Sequence, residues 1–273
     1  MHRLTTIIAA GALVLAAACS SDSTTTTGTT DDTTITADLA PVLADGVADD
    51  VDLMAGMDGG VGNIAGAPGV FASLSGPGKW RPHLTGCTFA DGSFTCPATR
   101  ANGLTVTRTI TFLDGNGQPM DAYDSLLTAS IHVVAEISGD KTHGPWSATV
   151  DRHRDFTITG LLGTETTRTV NGTGNGTVSR SRSTANARSY DLTCSSTITN
   201  VVFPVRSDDG GNGWPESGTI SRTCTITVTA GPNAGKTITR TVVITFDGPS
   251  TPSGTIDGTP FMFDLTARSA AKR

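Results

Sequence analysis

Aromatic residues are scarce in this chain: nine Phe, two Tyr and three Trp among 273 residues. Charged residues make up only 16%, and 25 Asp and Glu outnumber 19 Lys and Arg, for a net charge of −6 at pH 7. That balance argues against a nucleic-acid partner and against adhesion to anionic headgroups by charge alone. The chain has no GxSxG elbow, no HExxH and no CxxC pair, so the common nucleophile, zinc-protease and thiol-redox signatures are missing. Its N-terminal apolar run, Ile7 to Ala18, is too short to span a bilayer as a helix. In contrast, Gly is abundant (32 residues), and Thr recurs at nearly every second position over long stretches. This composition points to an all-β domain.

The apolar run follows a short basic start, His2 and Arg3, and ends in small residues directly before Cys19. It reads as an export signal over residues 1–18. Leu15, Ala16, Ala17, Ala18 and Cys19 resemble the bacterial lipobox, with Leu one place earlier than the commonest pattern. The resemblance implies cleavage before Cys19, lipidation of its thiol and a tether to a cell-envelope membrane. The alternative is a plain signal peptide cut near Ala18. Cleavage removes Arg3 and no acid, so the mature charge is near −7.

Four cysteines remain: Cys87, Cys96, Cys194 and Cys224. An exported chain favours disulfides, and four cysteines allow three pairings. Asp91-Gly92 is a strong two-residue hairpin turn. Folding about it opposes Ala90 to Ser93, Phe89 to Phe94 and Cys87 to Cys96. Cys194 and Cys224 are symmetric about Asp209, in a turn-rich stretch, and that register also opposes Ile198 to Ile220 and Leu192 to Ile226. The expectation is two staples, 87–96 and 194–224, rather than a four-cysteine metal site.

Residues 19–36, the lipidated Cys and a Ser/Thr-rich stretch, hold few large apolar groups and read as a disordered tether. Residues 37–79 read as one amphipathic helix, 38–57, followed by a Gly/Pro-rich connection. In that helix acids are interspersed with Leu39, Leu43, Val47, Val51 and Met54. From 80 to 273 the pattern has period two. Val106, Arg108, Ile110 and Phe112 alternate with Thr, and so do the runs from Ile220 to Val228 and from Ile238 to Ile244. Turn signals punctuate these runs, among them Asp91-Gly92, Asp114-Gly115, Gly139-Asp140, Asn171-Gly172, Asn175-Gly176 and Asp257-Gly258. The reading is mainly β: about 11–12 antiparallel strands in a meander, curled into a half-barrel or barrel with one N-terminal helix. The order tether, helix, meander is similar in architecture to the half-barrel lipid carriers of the bacterial envelope, although no family motif is matched. That likeness implies a lipid-like ligand and nothing about particular residues.

Three clusters are candidates for chemistry. Arg108, Arg222 and Arg240 share the phase of the apolar face, where they could hold an anionic headgroup; equally, they could pair with acids or snorkel at the sheet margin. Asp151, His153 and Asp155 lie on one face of a strand, with Arg152 and Arg154 on the other. Together with His132 and Glu136 they could converge on a metal or do acid–base work, or form a solvated face that discourages edge aggregation. The run Ala230 to Thr237 (AGPNAGKT) matches a loose phosphate loop but separates two strands, where a hairpin turn is the better reading.

The expected function is therefore a membrane-tethered, non-enzymatic envelope lipoprotein and monomer, without catalytic residues, metal or cofactor, that takes a lipid-like or other apolar ligand on its sheet. The alternatives are a structural or adhesive surface protein with a filled core, and a hydrolase or metal enzyme built on Asp151, His153 and Asp155.

Overall fold

Period-two alternation turns one side of each strand to the core, so consecutive strands can add edge to edge as one antiparallel sheet. The computed structural model shows this arrangement. It describes residues 27–55, 71–72, 81–82, 84, 86–99, 103–162, 165–183, 187–204, 214–248 and 251–272. A helix, α1 (Thr27–Ala55), comes first, followed by the two-residue ribbon β1 (Phe71–Ala72) and β2 (Arg81–Pro82). The main sheet then runs β3 (Thr88–Ala90), β4 (Ser93–Thr99), β5 (Thr105–Leu113), β6 (Pro119–Met120), β7 (Ser130–His143), β8 (Trp146–Thr159), β9 (Thr167–Arg182), β10 (Arg188–Pro204), β11 (Ser217–Ala230), β12 (Thr237–Thr245), β13 (Ser253–Ile256), β14 (Thr259–Asp264) and β15 (Ser269–Lys272).

These thirteen strands form one sheet, a meander from β3 to β15 with β6 paired only to β5. The sheet is open, with β3 and β15 at its edges. The count exceeds the expected eleven or twelve because the C-terminal stretch folds into a three-strand ladder of short segments, β13 to β15.

Register follows the pattern expected from sequence. Cys194 faces Cys224, Leu192 faces Ile226, and Ile198 faces Ile220. At the first hairpin Phe89 faces Phe94 across Asp91 and Gly92, both at positive φ (50° and 73°), the backbone of a type I′ turn. Both disulfides are formed, Cys87–Cys96 and Cys194–Cys224.

Three expectations are corrected. Asn171-Gly172 and Asn175-Gly176 are not turns but the middle of β9, sixteen residues long. Gly172, Gly174 and Gly176 fall at alternate positions on the inner face, opposite Phe156, Arg154 and Arg152 of β8. A Cβ on Gly174 would lie 2.6 Å from Arg154 Cδ and 2.8 Å from Ser196 Oγ; the glycines make room for large neighbours. Gly139-Asp140 likewise lies within β7, whose turn comes later, between His143 and Trp146. The third correction is at the N-terminus. The helix begins at Thr27, inside the stretch that composition assigns to a tether, and Ile35 already belongs to the core. The export signal, the lipobox and Cys19 lie outside the described residues.

Helix α1 sits on the concave side of the sheet, and one continuous apolar cluster runs from Ile35 to Met54 and on through Val106, Ile110, Ile226, Val242 and Phe263. Every residue from Gly46 to Met54 is buried except Asp52. A helix so enclosed over its last turns takes its stability from packing rather than propensity. This accounts for a helix that continues through Pro41 and Gly46.

Candidate functional site

The lumen between helix and sheet is charged. Asp38, Asp45, Asp49 and Asp52 recur at spacings of seven, four and three residues, which places them along one helical stripe. Asp50 lies beside it. Facing them, β8 turns Arg152 and Arg154 inward, β11 turns Arg222 inward, and Arg268 reaches in from the segment before β15.

Asp50 is gripped from two strands. Arg154 Nε donates to its Oδ1 and Arg222 Nη2 to its Oδ2, the latter at 2.7 Å. Arg222 Nη2 also donates to the Gly46 carbonyl at 3.1 Å. Asp49 accepts from Arg152 and, at 2.7 Å, from Arg268, which also holds Asp45 and Asp52. Lys141 pairs with Asp45. Nearer the helix start, Asp38 accepts from both Arg188 and the Tyr190 hydroxyl at 2.6 Å. Its backbone carbonyl takes a further bond from Arg180, whose guanidinium lies 3.9 Å from the centre of the Trp146 ring. Asp49 and Asp50 are essentially inaccessible (0% and 1%).

The electrostatics follow from burial and partners. Burial alone would raise Asp50, but the charges of Arg154 and Arg222 outweigh it and hold the carboxyl below its usual range. Burial pulls Arg222 down to about 10 against the pull of Asp50, and Arg154 and Arg152 repel it further. Arg268 is less enclosed, and its three carboxylates raise it despite burial. Burial, helped by Asp38, pushes Tyr190 up to about 12.

The three sequence-selected arginines thus occupy different settings. Arg222 is bound to Asp50 and Gly46. Arg240 sits half-buried, donating to Thr36 Oγ1 at 3.1 Å and lying 3.3 Å from Asp257. Arg108 is buried on the inner face between Cys96 of β4 and Ala135 of β7. Sequence reading did not select Arg152, Arg154, Arg268 or the helix aspartates, although the stripe of acids on the helix and the in-phase arginines were both visible as patterns.

On the outer face, Asp151, His153 and Asp155 do not meet one another. His153 Nδ1 lies 2.6 Å from Glu136 Oε1, and His132 Nε2 lies 2.8 Å from Asp155 Oδ1. These are two separate, half-exposed cross-strand pairs between β7 and β8, and among the described residues no cluster of His, Cys, Asp or Glu is arranged to hold a metal. The run Ala230 to Thr237 is the β11–β12 turn, with no helix behind it to cradle a phosphate. The Asp114 carboxylate caps its own turn, accepting from the Asn116 and Gln118 amides at 2.8 and 2.9 Å.

A polar groove of about 350 Å³ opens where the ends of β7 to β10 come together. Along it Thr149 donates to Asp140 and Ser179 to Asp191, each at 2.6 Å. Among the described residues no helix is long and apolar enough to cross a membrane. No family model matches the chain, and neither a curated protein nor a solved structure matches it.

Proposed function

We propose that this protein is a lipid-anchored, non-enzymatic domain of the bacterial cell envelope that works with a filled core and presents the hydroxyl-rich outer face of its sheet to a partner. The observation that carries the reading is α1 itself. A carrier needs empty apolar volume on the concave face, and here that space holds a helix pinned by buried ion pairs. The outer face, by contrast, is regular and uncharged over long stretches. Thr193 faces Thr225, Ser195 faces Thr223, and Thr225 and Thr223 in turn face Thr239 and Thr241. The disulfides suit an oxidising, exported location, and the lipobox-like residues Leu15 to Ala18 mark the Cys19 thiol as the anchored group.

Two measurements test this. Growth with an alkyne fatty acid should label the wild type and leave Cys19→Ala unlabelled; an unlabelled wild type removes the anchor. Organic extraction of the detergent-free domain, followed by mass spectrometry, should yield no stoichiometric lipid. Recovery of one lipid per chain would reinstate the carrier reading, with the ligand held beside or in place of the helix.

A further inference from the structure

Arg152, Arg154 and Arg222 line a small, partly open void, together with Gly176 and Ser196, on the sheet side of the ion-pair cluster. Its volume, about 10 Å³, admits a single water-sized particle. Among the described residues, three buried polar atoms of its lining have no hydrogen-bond partner: Arg152 Nη2, Arg222 Nε and Ser196 Oγ. Arg152 Nη2 lies 3.6 Å from an Asp45 carboxylate oxygen, outside hydrogen-bonding distance. All three residues are more than nine-tenths buried. Orphaned donors at such depth are costly, so native interiors supply them with a partner.

The chemistry of the orphans narrows what that partner is. A guanidinium nitrogen only donates, and a hydroxyl can donate. A water in the void would have to aim two hydrogens of its own, and of the three orphans only the Ser196 oxygen could receive one. The Asn175 carbonyl, also at the void, accepts from Arg154 at 3.1 Å, which leaves it at most one lone pair for a water. An anion accepts from every direction. The charge balance points the same way. Among the described residues, five cations of this cluster (Lys141, Arg152, Arg154, Arg222 and Arg268) share four carboxylates (Asp45, Asp49, Asp50 and Asp52).

We propose that the void is a structural site for one monatomic monovalent anion, a halide, held by Arg152 Nη2, Arg222 Nε and Ser196 Oγ. The ion completes the lock between α1 and strands β8, β10 and β11. It satisfies three buried donors that the aspartates do not reach, in a medium of low dielectric constant.

The test uses the purified full chain. Crystals equilibrated in bromide should show an anomalous peak in the void, within hydrogen-bonding reach of the three atoms. Melting in chloride or bromide should occur a few degrees above melting in gluconate at equal ionic strength, because an ion bound only by the folded state stabilises it. Ser196→Ala, which folds by the same circular dichroism signature, should lose most of that increment. The diffraction result decides. A void without anomalous density is a water site, and the anion proposal then fails whatever the melting curves show.

Discussion

The Asp50 carboxylate accepts a hydrogen bond from Arg222 at 2.7 Å, joining helix α1 to strand β11 across 172 residues of chain. The same carboxylate takes Arg154 of β8 on its other oxygen. One side chain therefore ties the helix to two strands that are not neighbours in the sheet.

Removing that carboxylate leaves two buried guanidiniums facing a neutral group. Asp50→Asn should lower unfolding free energy by about 3–5 kcal/mol, read from urea melts. The exposed Asp155→Asn should change it by less than about 1 kcal/mol. Equal losses for the two variants would mean that the buried pair contributes no more than a surface one.

Gly46 reverses a common rule. Replacing a helical glycine by alanine ordinarily stabilises by about 1 kcal/mol. Here a Cβ would overlap the Arg222 guanidinium, so Gly46→Ala should instead destabilise by about 1–3 kcal/mol through overpacking. Gly115→Ala, whose Cβ would meet nothing within 4 Å, serves as the control in thermal or urea melts. A more stable Gly46→Ala would show that Arg222 can withdraw from the helix at no cost.

Stability should depend on pH at both ends of the range. The Asp50 carboxyl is held below its ordinary 3.8 in the folded state, so the stabilisation it gives is complete at neutral pH. It is lost as pH falls through 3.8 and below. The Tyr190 hydroxyl is raised to about 12; its contribution is complete below pH 10 and is lost between pH 10 and 12. Denaturant melts should show the acid decline directly, and the difference between wild type and Tyr190→Phe should show the alkaline one, since Arg222, lowered to about 10, acts in the opposite sense over the same window.

Cys194 and Cys224 close a 30-residue separation and Cys87 and Cys96 one of nine. In the chain-entropy view, opening each by paired Ser substitution should cost about 3 kcal/mol, slightly more for the longer loop. Differential scanning calorimetry of the two double variants gives the comparison. A greater loss from the 87–96 pair would show that strain or packing, rather than loop closure, sets the cost.

The helix start yields one more test. A chain beginning at residue 37 lacks Ile35, which is buried, and Thr36, which accepts from Arg240. It should melt several degrees below one beginning at residue 27. Equal melting temperatures would mean that the first helical turns pack without consequence.

Much of this architecture was legible in the chain. Alternation gave the inward phase of Val106, Ile220 and Ile244, because a half-buried strand repeats every two residues. Symmetry about a turn gave the pairing of Cys194 with Cys224. The reading went astray where a local signal met a tertiary demand. Asn-Gly is the strongest hairpin signal known from short-range preference, yet at Gly172, Gly174 and Gly176 glycine is present because Phe156, Arg154 and Arg152 cross above it. Nothing within a few residues of Asn171 reports on β8. The arginine row posed a similar difficulty. Its phase was visible, but Arg222 finds its partner, Asp50, 172 residues upstream in α1, and period-two arithmetic on a strand does not see it. The tether boundary shifted because Ser/Thr composition conceals a helix when only its last residues, from Ile35, carry apolar weight.

The connection between α1 and Arg268 has a bearing on the order in which the molecule can form. Ribosomes deliver the acidic helix within the first fifty-five residues, but the cations that neutralise it arrive at 152, 154, 222 and finally 268. Until the last of these emerges, Asp45, Asp49 and Asp52 lack a shared clasp. Such long-range closure makes for slow, late folding. A chain truncated before Arg268 would keep twelve of its thirteen sheet strands yet lose the cation that joins Asp45, Asp49 and Asp52, marking the unfinished product for proteolysis.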